Sequence, residues 1–152
     1  MEYHVDQIKK LRDKTGVGIM ACRKALAEVG GDAAEAEKML AEQALVRAGN
    51  RSDREVSEGV VSAYIHTNGR IGALVELRSE TDFVSRGADF RGLARELAMQ
   101  VCALNPESVD VLLDQAWIRD AQKTVRQLVS ELGAKTKENV VVARFARFKV
   151  GE

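Results

Sequence analysis

The side chains that most often carry out chemistry in proteins are few in this sequence and stand far apart. The two cysteines are Cys22 and Cys102, and the two histidines are His4 and His66. A nucleophilic Cys–His pair needs its two side chains within hydrogen-bond distance, and nothing in the spacing of these residues predicts such a pair. There is no CxxC spacing and no phosphate-binding loop of the form GxxxxGK[ST] or GxGxxG. We therefore expect neither an enzyme nor a chain that itself binds a metal, a nucleotide or another cofactor.

A bulky aromatic residue stands where no core-facing pattern accounts for it. Residues 81–84 read Thr-Asp-Phe-Val after a predicted strand. Thr81 can serve as the N-cap of a short helix, and Asp82 suits the first turn of that helix. Phe83 is flanked by charged and polar residues, so its ring is either a core plug between hairpin and helix or an exposed anchor for a partner. The spacing does not decide between these two roles.

The same question arises for two residues near the N-terminus. Ile19 and Met20 follow a turn predicted at residues 16–18. A methionine beside a turn is a frequent adaptable contact at binding surfaces. Both residues are therefore candidates for a partner contact, with burial in a small core as the alternative.

Three short helices are predicted over residues 4–48, and we expect residues 1–48 to form one small domain. Apolar side chains recur at helical spacing in each of them. Asp32, with Glu35 three residues later, is typical of an N-cap at the start of the third helix. Residues 49–58 are polar and rich in turn-forming types, and we predict a linker there.

Residues 59–152 are predicted to form a core in which helices pack on one face of a small antiparallel sheet. Two runs of β-forming residues flank Asn68-Gly69, the strongest short signal for a type I′ hairpin turn. Amphipathic helices are predicted over 89–104 and 118–132. The last strand, 139–150, is apolar on both faces at its start, which favours a central position in the sheet. The predicted fold class is thus α+β, with a three-helix domain before the sheet.

The composition is that of an ordinary globular protein and weighs against two classes of partner. Lys and Arg together number 23, as do Asp and Glu, so the formal net charge of the 152 residues is zero. A dedicated nucleic-acid binder depends on excess basic charge, and the alternation of Arg144, Arg147 and Lys149 is better explained as a solvated strand edge. No apolar run approaches the ~20 residues of a membrane helix. Without a secretory signal pattern, a cytoplasmic location is expected.

Three motifs resemble the bacterial elongation factor Ts family, whose members are guanine-nucleotide exchange factors for elongation factor Tu. They are Leu11-Arg-Asp-Lys-Thr-Gly-Val-Gly-Ile-Met-Ala-Cys-Arg-Lys-Ala-Leu26, the stretch from Tyr64-Ile-His to Glu80-Thr-Asp-Phe-Val84, and Glu138-Asn-Val-Val-Val-Ala-Arg-Phe-Ala-Arg-Phe148. Together they span nearly the whole chain in the family's order. The resemblance implies a domain like a ubiquitin-associated module at 1–48 and a core for exchange and dimerisation at 59–152.

The resemblance also implies a mechanism. In the family the Thr-Asp-Phe-Val segment is pushed into elongation factor Tu near its Mg²⁺ site. Thr81, Asp82, Phe83 and Val84 hold the matching positions, with Asp82 and Phe83 as the inserted side chains. The function implied is the release of GDP and its exchange for GTP by displacement of Mg²⁺, with no bond made or broken by this chain.

Further contacts and a homodimer are implied as well. Arg12, Ile19 and Met20 match family positions that dock on the nucleotide-binding domain of the partner. The chain is short for the family, and a helical segment between Pro106 and Leu112 is expected to be missing. Larger members carry two related core subdomains where this chain has material for one, so a second copy is expected to supply the other half.

One alternative function stays open at this stage. The first 48 residues could act by themselves as a ubiquitin-associated adaptor or a nascent-chain-binding module without exchange activity. That function would survive deletion of residues 49–152, whereas nucleotide exchange would not.

Overall fold

The computed structural model describes residues 5–152, which divide into two units between Asn50 and Arg51. His4 and the first residues of the predicted domain 1–48 lie outside the described part. In chain order the elements are α1 (Val5–Thr15), α2 (Ile19–Glu28), α3 (Ala33–Ser52), β1 (Glu58–Ile65), β2 (Ile71–Ser79), α4 (Asp82–Ser85), α5 (Ala88–Leu104), α6 (Val109–Asp114), β3 (Ala116–Trp117), β4 (Asp120–Thr124), α7 (Val125–Thr136) and β5 (Val141–Lys149). The predicted α+β class, with helices before an antiparallel sheet, is confirmed.

Three helices form the first unit around a thin core. Gly16 ends α1 with a φ of +69°, in the left-handed region that glycine adopts freely. Asp32 caps α3 as predicted, because its Oδ1 accepts hydrogen bonds from the backbone N–H groups of Ala34 at 2.9 Å and Glu35 at 3.1 Å. The buried side chains are small or aliphatic: Leu11, Cys22, Ala25, Leu26, Ala36 and Leu40.

Helix α3 is longer than the sequence predicts. It ends at Ser52, inside the segment 49–58 that is predicted to be a linker. A glycine such as Gly49 costs a helix only about 1 kcal/mol relative to alanine, so the hydrogen-bond ladder continues through it. The residues between α3 and β1 are therefore 53–57.

The sheet of the second unit is antiparallel in the order β1-β2-β5. The predicted central position of the last strand is wrong, because β2 lies in the middle and β5 at an edge. Val140 and Val142 near the start of β5 are buried in the core, and helices α5 and α6 pack against this strand. Val140 and Val142 share one face of the strand, whereas Val141 on the other face is only half-buried. The apolar start of β5 therefore reflects cover by helices on one face and not a second neighbouring strand.

The β1-β2 hairpin lies where the sequence predicts it, but the type I′ turn is wrong. That turn needs a positive φ at both central residues, whereas Gly69 has a φ of +69° and Asn68 is not among the residues with positive φ. Gly69 N donates to His66 O at 2.8 Å, and His66 N donates to Ile71 O at 2.9 Å. The loop therefore spans residues 66–70.

A second small hairpin takes the place of the first part of the predicted helix 118–132. Strands β3 and β4 pair antiparallel, and α7 begins only at Val125. A reciprocal capping box sets this start. The Thr124 hydroxyl accepts from Gln127 N at 3.2 Å, and Gln127 Oε1 accepts from Thr124 N at 2.8 Å.

Helix α5 supplies the centre of the core. It is predicted over 89–104 and observed over Ala88–Leu104, and it packs on the inner face of β1 and β2. Phe90, at 1% exposure, is the largest of the fully buried side chains. From α5 the core also receives Ala94, Leu97, Ala98, Val101 and Cys102.

Candidate functional site

The connection between β2 and α5 folds into a single helical turn, α4, whose cap is Thr81. Thr81 Oγ1 accepts a hydrogen bond from Val84 N at 3.4 Å, as predicted for an N-cap. Ser79 Oγ donates to Thr81 O at 2.9 Å, and Ser85 Oγ donates to Asp82 O at 3.1 Å. The hydroxyl groups of Ser79 and Ser85, one on each side of the turn, thus stabilise its backbone.

Phe83 protrudes from this turn. At 85% exposure it is the most exposed large apolar side chain among residues 5–152. Of the two roles that the sequence leaves open, the structure excludes the core plug and leaves the exposed anchor. Val84, which the resemblance groups with the inserting residues, is instead 9% exposed and belongs to the core. It anchors the turn from which Phe83 extends.

Asp82 lies beside Phe83 on the surface. It pairs with Arg86 one turn later, with 3.1 Å between Asp82 Oδ2 and Arg86 Nη2. An exposed ion pair of this kind stabilises the protein by only about 0–1 kcal/mol. Asp82 can therefore leave Arg86 and bind another group at small cost in free energy. The turn thus presents an aromatic ring next to a carboxylate, both accessible.

A carboxylate 57 positions away in the sequence holds the base of the turn. Glu138, between α7 and β5, accepts hydrogen bonds at Oε1 from Glu80 N at 3.1 Å and Thr81 N at 3.0 Å. Its Oε2 accepts from the Thr81 hydroxyl at 2.7 Å. Glu138 belongs to the third family motif, but no local sequence pattern indicates a contact over such a separation, so its role was not predictable.

The candidate docking residues of the first unit are grouped around the turn between α1 and α2. Arg12 lies in the last turn of α1, and Ile19 and Met20 lie in the first turn of α2. Arg12 is exposed, as are Ile19 at 49% and Met20 at 72%. The alternative of burial in a small core is thus excluded for both apolar residues.

One face of the three-stranded sheet also carries large exposed apolar side chains. Leu74 on the central strand faces outward between Ala63 and Ala146, opposite to the face that packs on α5. A shallow groove lies next to it. The exposed apolar residues on this face and at its margin, called the open face below, are Val61, Ile65, Leu74, Phe148 and Val150. Large contiguous apolar patches on a protein surface often mark interaction sites, so this face is a candidate for one.

Cys22, Cys102 and His66 lie in surroundings that show no catalytic arrangement. Both cysteines are free thiols and buried, and Cys22 Sγ donates to Val17 O at 3.4 Å. His66 Nδ1 lies 3.3 Å from the Tyr64 hydroxyl. Among residues 5–152, no group of three His, Cys, Asp or Glu side chains is arranged to hold a metal ion.

The basic residues of β5 are engaged with acidic neighbours. Arg144 lies 3.6 Å from Glu76, and Glu152 pairs with Arg147 at 3.2 Å and Lys149 at 3.5 Å. These ion pairs balance the charge of the strand locally, in keeping with a solvated strand edge. Within the described chain, no helix is both long and apolar enough to cross a membrane.

Comparison with known proteins gives a consistent result. Residues 20–112 match the family model described as Elongation factor TS. The chain is 39% identical to the protein named Elongation factor Ts of Desulforamulus reducens, over 99% of this chain and 90% of that one. It is 37% identical to that of Oleidesulfovibrio alaskensis, over 95% and 96%, and 36% identical to that of Coprothermobacter proteolyticus, over the whole of both chains.

The last comparison also shows that this chain is shorter internally. The alignment with the Coprothermobacter proteolyticus protein extends over 197 positions, whereas this chain has 152 residues. The remaining 45 positions are therefore gaps in this chain. Because both chains are covered completely, these gaps lie within the alignment. The connection between α5 and α6 is short, at residues 105–108. The total agrees with the predicted absence of a family segment, whose place after Pro106 stays a prediction.

Proposed function

The chain belongs to the elongation factor Ts family of bacterial translation elongation factors, and we propose that it binds elongation factor Tu in its GDP form and promotes exchange of GDP for GTP. The observation that carries this proposal is the exposed ring of Phe83 on a turn whose base is fixed. Asp82 and Phe83 are the side chains that enter the partner. Thr81 caps the turn, and Val84 holds it to the core.

The mechanism depends on the rigid coordination of the partner's metal ion. Mg²⁺ requires near-octahedral geometry with ligand distances of about 2.0–2.1 Å, and it bridges nucleotide phosphates and protein oxygens. A ring that moves those ligands by about an ångström therefore weakens the binding of metal and nucleotide together. Coupling between two ligands is reciprocal, so GDP weakens the binding of this chain by the same factor. No covalent bond changes.

The direct test is release of fluorescent GDP from elongation factor Tu in a stopped-flow instrument. We expect the release rate to rise with the concentration of this protein and to reach a plateau. Excess Mg²⁺ is expected to slow release, because the metal and the inserted turn oppose each other. A release rate that does not change with added protein contradicts the proposal.

Docking of the first unit gives a separate prediction. Met20→Asp is expected to raise the concentration for half-maximal release about tenfold or more, because burying a methionine contributes about 1.5–3 kcal/mol and 1.4 kcal/mol is tenfold. The plateau rate should change little, since α4 is untouched. Leu45→Asp is the matched control, as Leu45 is equally exposed, at 73%, and lies on α3. Equal effects of both substitutions would contradict docking through Met20.

The open face supports a homodimer. A three-stranded sheet that is covered on one side only leaves its second face to water, and a second copy with the same face can cover it. The face also carries Glu76 with Arg78 and Arg144 as its ion-pair partners, at 3.1 Å and 3.6 Å. Both signs of charge are thus present, so two identical faces can meet without repulsion between like charges.

Sedimentation of one substituted protein tests this arrangement. Phe148 is 78% exposed on the open face, and Phe148→Asp places a charge where two sheets would meet. We expect the mass in solution to fall from that of two chains to that of one. Val111→Asp, which alters an exposed residue of α6, should leave the mass unchanged. A monomeric unsubstituted protein would contradict the homodimer.

The proposed partners are therefore elongation factor Tu and a second copy of this chain, in the cytoplasm. The function requires no cofactor held by this chain. It also requires neither a membrane nor direct contact with nucleic acid.

A further inference from the structure

We propose that Glu138 is a positioning residue that holds the turn 81–84 in the orientation needed to present Phe83 to elongation factor Tu. The inference rests on the proposed function, because it assigns Glu138 a part in exchange and not only in folding. Its effect passes through Phe83, which is the side chain that meets the partner.

The contacts of Glu138 use both oxygens of its carboxylate. Three donors converge on them, namely the backbone N–H groups of Glu80 and Thr81 and the Thr81 hydroxyl, at 3.1, 3.0 and 2.7 Å. Hydrogen bonds to a carboxylate are stronger than those between neutral groups. The Thr81 hydroxyl donates to Glu138 and accepts from Val84 N, so it links Glu138 directly to the turn.

The turn needs such support from outside. Helix α4 has four residues, too few to be stable by itself. The Phe83 ring is 85% exposed, so packing within its own unit does little to orient it. Its direction is set by the backbone of the turn, and Glu138 holds the residues where that backbone begins.

The segment that carries Glu138 is itself firmly placed. Lys137 has a φ of +59°, a left-handed conformation that a residue with a side chain adopts rarely and that persists where surrounding contacts enforce it. Glu80 Oε2 accepts from Asn139 N at 2.6 Å, so each of the two segments gives a carboxylate to the backbone of the other. Asn139 Nδ2 in turn donates to Arg54 O at 2.8 Å.

These reciprocal bonds join the turn, the segment between α7 and β5 and the residues before β1 into one hydrogen-bonded cluster. A preorganised contact group costs less conformational entropy on binding than a mobile one. A misplacement of about 1 Å at a reacting site can reduce a rate about a hundredfold. Loss of Glu138 should therefore slow exchange even in molecules that remain folded.

The test is stopped-flow release of fluorescent GDP with this protein in excess over elongation factor Tu. For Glu138→Ala we expect a plateau rate lower by about ten- to a hundredfold, with the half-maximal concentration within about twofold of the unsubstituted protein. A role in folding alone gives the opposite pattern. It lowers the folded fraction, which raises the half-maximal concentration and leaves the plateau unchanged, and that result would overturn the proposal.

Two further variants keep the test decisive if the alanine variant folds poorly. Glu138→Gln retains the volume and one accepting oxygen, so we expect a plateau between those of the unsubstituted and alanine proteins. Glu131→Ala is the control, since Glu131 is a carboxylate of α7 that pairs with Lys123 at 3.1 Å. It should exchange normally. An unchanged plateau in Glu138→Gln and Glu138→Ala alike overturns the proposal.

A double substitution separates this inference from the proposed function. If Glu138 acts through Phe83, Glu138→Ala should lower the plateau little further in a Phe83→Ala protein, whereas independent effects multiply. Multiplying effects overturn the positioning role. A Phe83→Ala protein that exchanges normally overturns the proposed function itself. A slow Phe83→Ala protein with a normal Glu138→Ala protein overturns only the role of Glu138.

Discussion

Phe83→Ala is expected to lower the plateau rate of GDP release about thirtyfold or more, because a central aromatic anchor contributes about 2 kcal/mol or more to the state in which it is inserted. The ring is 85% exposed in the free protein, so its removal takes almost nothing from the core. The thermal midpoint and the circular dichroism of the variant should therefore match those of the unsubstituted chain. Both are measured on the preparation used for the exchange assay.

The control for this substitution removes an exposed apolar side chain elsewhere in the second unit. Leu104 is 48% exposed at the end of α5, and Leu104→Ala should exchange at the normal plateau rate. If Phe83→Ala also exchanges at that rate, the inserted turn is not the exchange element. An unsubstituted chain that binds elongation factor Tu without speeding release would instead favour the adaptor function of the first 48 residues.

Phe90→Ala, seven positions later, should give the opposite pair of results. Phe90 is 1% exposed within the core of α5 and the sheet, and truncation of a buried phenylalanine costs about 3–5 kcal/mol of folding free energy. Since domains are stable by about 5–15 kcal/mol, this is a large share of the total. Urea unfolding followed by the fluorescence of Trp117, the single tryptophan, reports on this unit.

Phe83→Ala and Phe90→Ala are expected to affect different properties, the first the exchange rate and the second the stability. Under conditions where Phe90→Ala is still folded, its plateau rate should be near normal, since Phe83 and its turn remain. Phe83→Ala should unfold at the normal urea concentration, as surface substitutions usually change stability by no more than about 0.5 kcal/mol. Equal urea midpoints for the two variants would contradict the assignment of Phe90 to the core.

Helix α5 and the N-caps of α3 and α4 were predictable because their signals are local. The apolar spacing of α5, the Asp32 cap of α3 and the Thr81 cap of α4 each depend on residues within one or two helical turns. The hairpin position at Asn68-Gly69 is local in the same sense. Its turn type was not predictable, because the two strands and their closing hydrogen bonds select the loop conformation.

The second hairpin shows what a local pattern misses. The apolar spacing over 118–132 favours a helix throughout, yet the buried side chain of Gln100 donates to Ala116 O at 2.9 Å and accepts from Ile118 N at 3.0 Å. A buried amide must satisfy its hydrogen bonds, and here it does so with the backbone of β3 and the residue after it. That requirement comes from a residue on another helix.

The amino-acid sequence by itself determined the α+β class, the family motifs and the position of the Thr81 cap, because each of these depends on neighbouring residues or on residue identity. Only the tertiary structure decided that Phe83 is exposed while Val84 is buried, that β5 lies at an edge and that Glu138 reaches the turn. Burial and contacts between distant segments depend on how the elements pack. Phe83 and Phe90 show this most directly. They are the same amino acid seven positions apart, yet Phe83 is exposed and Phe90 is buried.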